Sequence, residues 1–156
     1  MIAVRPLRVS DRASAVALGV AVFAGFGDYR AALQGWTENK AMQTLVAVSP
    51  DGGILGLSVV ALLNTGFDTE AQLLALGVAE AQRGRGLGRR LLAAAIEVAR
   101  RDAMPWGATQ LKLQVAEDNR AARALFQSAG FQAVPGKQLG YADGRRALSF
   151  ARSLAD

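Results

Sequence analysis

The sequence predicts one mixed α/β domain of the α+β kind, spanning residues 1–156, with about six to seven strands and about four helices. Two observations lead to that class. Short apolar runs of strand length alternate with stretches of helical periodicity, and no linker, repeat or low-complexity tract interrupts them. The 51% hydrophobic content with scattered charges suits a packed core rather than extended disorder.

Leu7 to Ser10 reads as a short opening strand, with Ser10 or Asp11 placed to cap the helix that follows. Ala13 to Phe23 is apolar enough for a buried helix. Gly25-Phe-Gly-Asp28 breaks it, and a second helix covers Tyr29 to Gly35. Thr44 to Val48 and Ile54 to Leu63 flank the turn Pro50-Asp-Gly-Gly53, which predicts an antiparallel hairpin. A third strand runs from Ala71 to Ala79. Leu87, Leu91, Ala95 and Val98 then recur at helical spacing, and the helix stops near Asp102, before Pro105. Thr109 to Val115 alternates as a strand. Asp118 or Asn119 caps a further helix, and Gly130 stands where a left-handed residue ends it. Phe131 to Tyr141 and Arg145 to Leu154 read as closing strands around the turn Ala142-Asp-Gly144.

Composition excludes several chemistries. With no cysteine and no histidine, the chain has no disulfide, no Cys/His metal site, no cysteine nucleophile and no Ser-His-Asp triad. No metal is expected. Acid–base work falls to Asp, Glu, Tyr, Lys, water or the backbone. No apolar run reaches ~18 residues, so no membrane association is expected. The start of the chain lacks a signal peptide's uninterrupted apolar region, and cytoplasmic residence is the expectation. Net charge is +5, and six of the 18 basic residues lie between Arg83 and Arg101.

Those arginines surround the most informative segment, Gln82-Arg-Gly-Arg-Gly-Leu-Gly-Arg-Arg-Leu-Leu92. A strand, alternating glycines and a helix start make an anion site: glycine admits a ligand close to the backbone, and the first helical turn offers unpaired N–H groups. Arg83, Arg85, Arg89 and Arg90 add positive charge. A dinucleotide fingerprint needs Gly-x-Gly-x-x-Gly after the first strand, whereas here Gly84-x-Gly86-x-Gly88 comes at mid-chain. A triphosphatase loop needs Gly-Lys-Ser/Thr, which is absent.

The segment resembles the acetyl-CoA loop of the GNAT acyltransferases, whose pattern Arg/Gln-x-x-Gly-x-Gly/Ala is met by Arg83-Gly-Arg-Gly86-Leu-Gly88. The resemblance extends to Leu76-Gly-Val78 before the loop. After it come Leu111 to Val115, then Asn119, Ala122, Leu125, Phe126 and Gly130-Phe131. It is strong from Leu73 to Phe131 and weak before Thr44.

The resemblance implies a mostly antiparallel central sheet with helices on both sides, and transfer of acetyl from acetyl-CoA directly to a primary amine. It implies that Leu76 and Val78 pair with the pantetheine arm and that Asn119 contacts it. Amides from Arg83 to Arg89, Gly84, Gly86 and Gly88 among them, would hold the pyrophosphate, with Arg83, Arg85 and Arg89 adding charge. The strand bearing Leu76 would splay from the one at Leu111–Val115, and a bulge would aim an N–H at the thioester carbonyl. Glu70, on the same strand face as Gln72, is the candidate base.

The family's frequent general acid, a tyrosine, is Phe126 here, which leaves that role unassigned. Phe23, Phe26, Tyr29, Trp36 and Tyr141 are candidates to line an acceptor pocket. Acidic residues are sparse in this part of the chain. The expected acceptor is therefore a small amine or amino acid first and a protein N-terminus second. A homodimer is compatible with the family. The alternative is a non-catalytic acyl-CoA-binding module of the same fold. Nucleic acid is not an expected partner, because the aromatics do not interleave with the basic cluster.

Overall fold

The computed structural model describes residues 1–64, 66, 68–135, 139–140 and 146–155. Its sheet follows the order β1-β2-β3-β4-β5-β8-β6, with β7 also on β8. The strands are β1 (Ala3–Pro6), β2 (Met42–Val48), β3 (Ile54–Asn64), β4 (Thr69–Val78), β5 (Gln110–Ala116), β6 (Gln132–Ala133), β7 (Leu139–Gly140) and β8 (Arg146–Ser153). The short strands β6 and β7 share the edge of β8 that β5 leaves open, so the sheet is seven strands wide. Every pairing is antiparallel except β4 with β5. The helices are α1 (Arg12–Val22), α2 (Arg30–Glu38), α3 (Leu87–Asp102) and α4 (Arg120–Ser128).

The sheet carries a core on each face. On one face Leu92, Ile96, Phe126 and Phe131 from the α3 and α4 side meet Leu111, Leu113 and Phe150. On the other, Ala15, Val16 and Leu33 of α1 and α2 meet Val46, Leu57 and Val59. Leu91 of α3 is fully buried; cutting such a side chain back to alanine costs about 2–5 kcal/mol. Gly77 of β4 allows α1 to approach closely, since a Cβ there would lie 2.8 Å from Val22 Cγ1 and 3.1 Å from Phe23 Cζ.

The opening strand departs from expectation. It is Ala3–Pro6, and Leu7 to Ser10 leads instead into a tight turn over Val9–Asp11. The Asp11 carboxylate explains the shift. It accepts the Arg8 N–H at 2.8 Å and both terminal nitrogens of Arg5 at 2.7 and 3.2 Å, which folds the chain back at that point. Asp11 therefore caps this turn and makes no side-chain cap to α1. The second helix also runs on to Glu38, held at its end by the Thr37 hydroxyl on the Leu33 carbonyl. The turn Ala142–Gly144 and, of the segment read as a strand up to Tyr141, residues 136–138 and 141 lie outside the described residues; the described part of that segment forms only the short strands β6 and β7.

Candidate functional site

The site begins where the sheet opens. β4 and β5 pair only at Ala71↔Leu111, Gln72↔Lys112 and Leu73↔Leu113, although β4 continues to Val78 and β5 to Ala116. At the same level β4 bulges. Leu73 faces Val60 of β3 and Ala75 faces Val59, so Leu74 is one residue too many for the ladder. Beyond it the β5-facing edge of β4 has no strand partner. The gap holds a cleft with about 640 Å³ of empty space. Leu74 to Leu76, Leu113 to Ala116, Asn119, Ala122 and Phe126 line one side, and Phe23, Phe26 and Tyr29 line the other.

The glycine loop follows directly from the open edge. After Val78 a single helical turn, Glu80–Gln82, leads to Arg83, then to Gly84 at φ +79° and Gly86 at φ +82°. Gly86 is the left-handed residue that starts α3, a conformation costing a residue with a Cβ about 1–2 kcal/mol. A Cβ at Gly84 or Gly86 would meet nothing within 4 Å, so the space above the loop is open. Gly88 lies in the first turn of α3 near Val78 and Leu125. Buried Leu87 and Leu91 hold this end of α3 to the sheet, leaving its first N–H groups facing the open space.

The arginines have divided roles. Arg85 and Arg89 are exposed. Arg83 donates from Nε to the Val78 carbonyl at 3.3 Å, and Arg90 donates to the Ile2 carbonyl at 2.9 Å, tying α3 to the N-terminal strand. Asn119 caps α4, its Oδ1 accepting the Ala122 N–H at 3.2 Å, and also lines the cleft. Phe126 is both core and wall: it is buried and sits edge-on to Phe131 at 5.8 Å between ring centres.

A second space adjoins the cleft, with about 1450 Å³ of empty volume. It lies over the polar face of β5, formed by Gln110, Lys112 and Gln114, and reaches Gln72, Tyr29 and Ser149. Tyr29, Leu73, Leu74, Leu113 and Gln114 line both spaces, so cleft and groove meet at the bulge. No carboxylate is among the described lining residues of either. Glu70 stands just off the groove on the face shared with Gln72. Its carboxylate pairs with Lys112 Nζ at 3.3 Å and accepts from Gln72 Nε2 at 3.4 Å.

Of the aromatic candidates, Phe23, Phe26 and Tyr29 line the cleft, whereas Trp36 packs into the α1–α2 core. Tyr141 lies outside the described residues. Asp28 is used locally, its carboxylate accepting the Arg30 N–H at 3.1 Å at the start of α2. The groove residues Gln110, Lys112, Gln114 and Ser149 were not singled out from sequence. The strict alternation of Gln110, Lys112 and Gln114 with buried Leu111, Leu113 and Val115 was the available signal, since it marks a sheet face left without an apolar cover.

Comparison with known proteins shows the family and the fold. The profile of the acetyltransferase (GNAT) family matches residues 19–131. Over 89 residues the chain is 35% identical to the N-alpha-acetyltransferase RimI of Mycobacterium tuberculosis. That match takes in 57% of this chain and spans about half the length of the relative, 52%. Among solved structures, Arabidopsis thaliana NAA60 in complex with acetyl-CoA superposes with a TM-score of 0.82 at 18% identity, covering 100% of both chains. The ribosomal-protein-S18-alanine N-acetyltransferase from Escherichia coli superposes with a TM-score of 0.79 at 22% identity, covering 99% of this chain and 94% of the other.

Proposed function

Since the chain belongs to the acetyltransferase (GNAT) family, whose members use acetyl-CoA, we propose that it transfers acetyl to the N-terminal α-amine of a peptide or protein. Acetyl-CoA-dependent N-acetyl transfer comes with the family; the acceptor is our reading. The observation that carries it is the junction at Leu74, where a narrow cleft opens into a broad groove without a described carboxylate.

On the donor side, the amides of Arg83 to Arg89 receive the pyrophosphate with Arg85 and Arg89 beside it, and the open β4 edge near Leu76 and Val78 pairs with pantetheine. Asn119 borders the same arm. The bulge leaves backbone N–H groups near Leu74 outside the ladder, where one can stabilise the oxyanion that forms as the amine attacks.

On the acceptor side, proton chemistry selects the amine. A lysine-like ammonium has a pKa near ~10.4 and a peptide α-amine near ~7.8, so at pH 7 the α-amine is uncharged roughly 340 times more often. A groove lined by amides and a lysine suits the second kind. Glu70 remains the candidate base; standing off the groove, it would take the proton through water. Gln72, Gln110, Gln114 and Ser149 offer neutral hydrogen-bonding groups for a peptide backbone. The name of the RimI relative, an N-alpha-acetyltransferase, supports the same acceptor.

This order reverses the expectation from sequence, which put a small amine or amino acid first. One observation still favours that second reading: the Lys112 ammonium on the groove floor suits a free α-carboxylate. The deciding experiment follows thiol release from acetyl-CoA, with mass spectrometry of products. Acceptors are peptides with varied N-terminal residues, the same peptides blocked at the N-terminus, free amino acids and polyamines. Acetylation confined to unblocked peptide α-amines is the expected result. Turnover of free amino acids alone would establish the second reading. CoA binding without turnover of any amine would leave only the binding-module alternative.

A further inference from the structure

The reaction ends with a thiolate that needs a proton, and the position that often supplies it in this family carries Phe126. The shared wall of cleft and groove narrows the alternatives. Of the five described residues lining both spaces, Leu73, Leu74 and Leu113 have no acidic proton, and the Gln114 amide donates hydrogen bonds without giving up a proton. The fifth is Tyr29. Lys112 lines the groove alone and is paired with Glu70.

We propose that Tyr29 is the general acid of this enzyme, giving its hydroxyl proton to the sulfur of CoA as the C–S bond breaks. The local structure is built to hold that ring. The Asp28 carboxylate accepts the Arg30 N–H where α2 begins, Tyr29 immediately precedes that helix, and its ring packs against Phe23 at 5.6 Å between centres. It is half-buried, so it reaches the junction without being sealed from water. The phenol thus comes from the α1–α2 connection, across the cleft from Phe126 of α4.

The step balances as follows. The acceptor ammonium first loses one proton to solvent, directly or through Glu70. The nitrogen lone pair forms the C–N bond, and the carbonyl pair moves to oxygen. When that pair returns, the C–S pair leaves on sulfur, which takes the Tyr29 proton. The phenolate regains a proton through water from the nitrogen that has just become an amide. No further reactant is needed.

The proposal rests on acetyl transfer and not on which amine accepts it. Its test compares wild type, Tyr29→Phe and Tyr29→Leu with acetyl-CoA and the best acceptor. Tyr29→Phe keeps the ring against Phe23. It should lower kcat roughly 100-fold, leave the KM for both substrates within about twofold, and abolish the solvent deuterium isotope effect on kcat. Tyr29→Leu removes the ring as well and should raise the acceptor KM in addition. An unchanged kcat in Tyr29→Phe, or a raised acceptor KM as its only defect, would make Tyr29 a binding residue and overturn the proposal while leaving acetyl transfer intact. Wild-type protein that binds CoA and turns over no amine would overturn both.

Discussion

The two sides of the Leu74 junction are built from different materials. The proposed donor side is backbone: an unpaired strand edge, two left-handed glycines and the first N–H groups of α3. The proposed acceptor side is side chains drawn from the α1–α2 connection, β4, β5 and β8, which lie far apart in sequence. A backbone site demands a fixed local spacing and tolerates little. A side-chain site on a sheet face can be rewritten one residue at a time, which lets one donor grip serve many acceptors.

The largest effect is expected where the backbone grip is broken. Gly86→Glu places a carboxylate and a strained left-handed residue at the anion site. Acetyl-CoA affinity, measured by calorimetry, should fall by roughly 100-fold or more, with the circular dichroism spectrum unchanged. Gly86→Ala shares the strain without the charge and should lose far less. Equal affinities in Gly86→Glu and wild type would remove the loop from the donor site.

Gly77 tests whether the two sides are mechanically separate, because it joins the donor strand to the α1 end of the acceptor layer. A valine there would collide with Val22 and Phe23. The expected cost is about 3 kcal/mol in urea unfolding. The acceptor KM should rise more than the CoA Kd, since Phe23 is the ring that supports Tyr29. A larger loss on the CoA side would mean that the two halves deform as one.

The same division explains what was legible in the sequence. Gly84, Gly86 and Gly88 marked the proposed donor loop because a left-handed or closely approached backbone leaves its mark locally, and Gly84 and Gly86 do stand at positive φ. Asn119 and Gly130 announced both ends of α4 for the same reason, and Gly130 does stand at φ +91°. The bulge at Leu74 was expected only from the family resemblance, since its cause is the register of β3 against β4 and no residue of β4 encodes it. The opening strand was misplaced because an ion pair across six positions, Arg5 to Asp11, outweighs the β propensity of Leu7 to Val9. The acceptor groove was least legible: Gln72, Gln114 and Ser149 become neighbours only through strand order.

Asp11 supplies a contrast, since it lines neither the cleft nor the groove. Hydrogen bonds from the Arg5 guanidinium, and then from the Arg8 N–H, hold its carboxyl below the ordinary carboxylate range against the cost of burial. A depressed folded-state value means that the ionised form stabilises the fold above the unfolded value of about 3.9, and that this stability is lost as pH falls below it. Asp11→Asn should therefore cost about 1.5 kcal/mol at pH 7, and its difference from wild type should shrink toward pH 3. CoA affinity should not change. A stability gap independent of pH would show that the carboxylate's charge is not what ties the turn.

The smallest effect is expected at Glu70, and its size reports how far the acceptor side relies on a dedicated base. Its carboxylate stands off the groove, engaged by Lys112 and Gln72. A peptide α-amine with a pKa near ~7.8 needs little help at neutral pH. Glu70→Gln should then lower kcat/KM for peptides only about threefold at pH 7, well below the ~100-fold that a committed base supplies. The deficit should close by pH 9, where the amine is already uncharged. A 100-fold loss that persists at pH 9 would assign Glu70 to more than proton removal. A 100-fold loss that disappears there would make it a true base and reopen the groove to more basic amines, for which such a carboxylate would be indispensable.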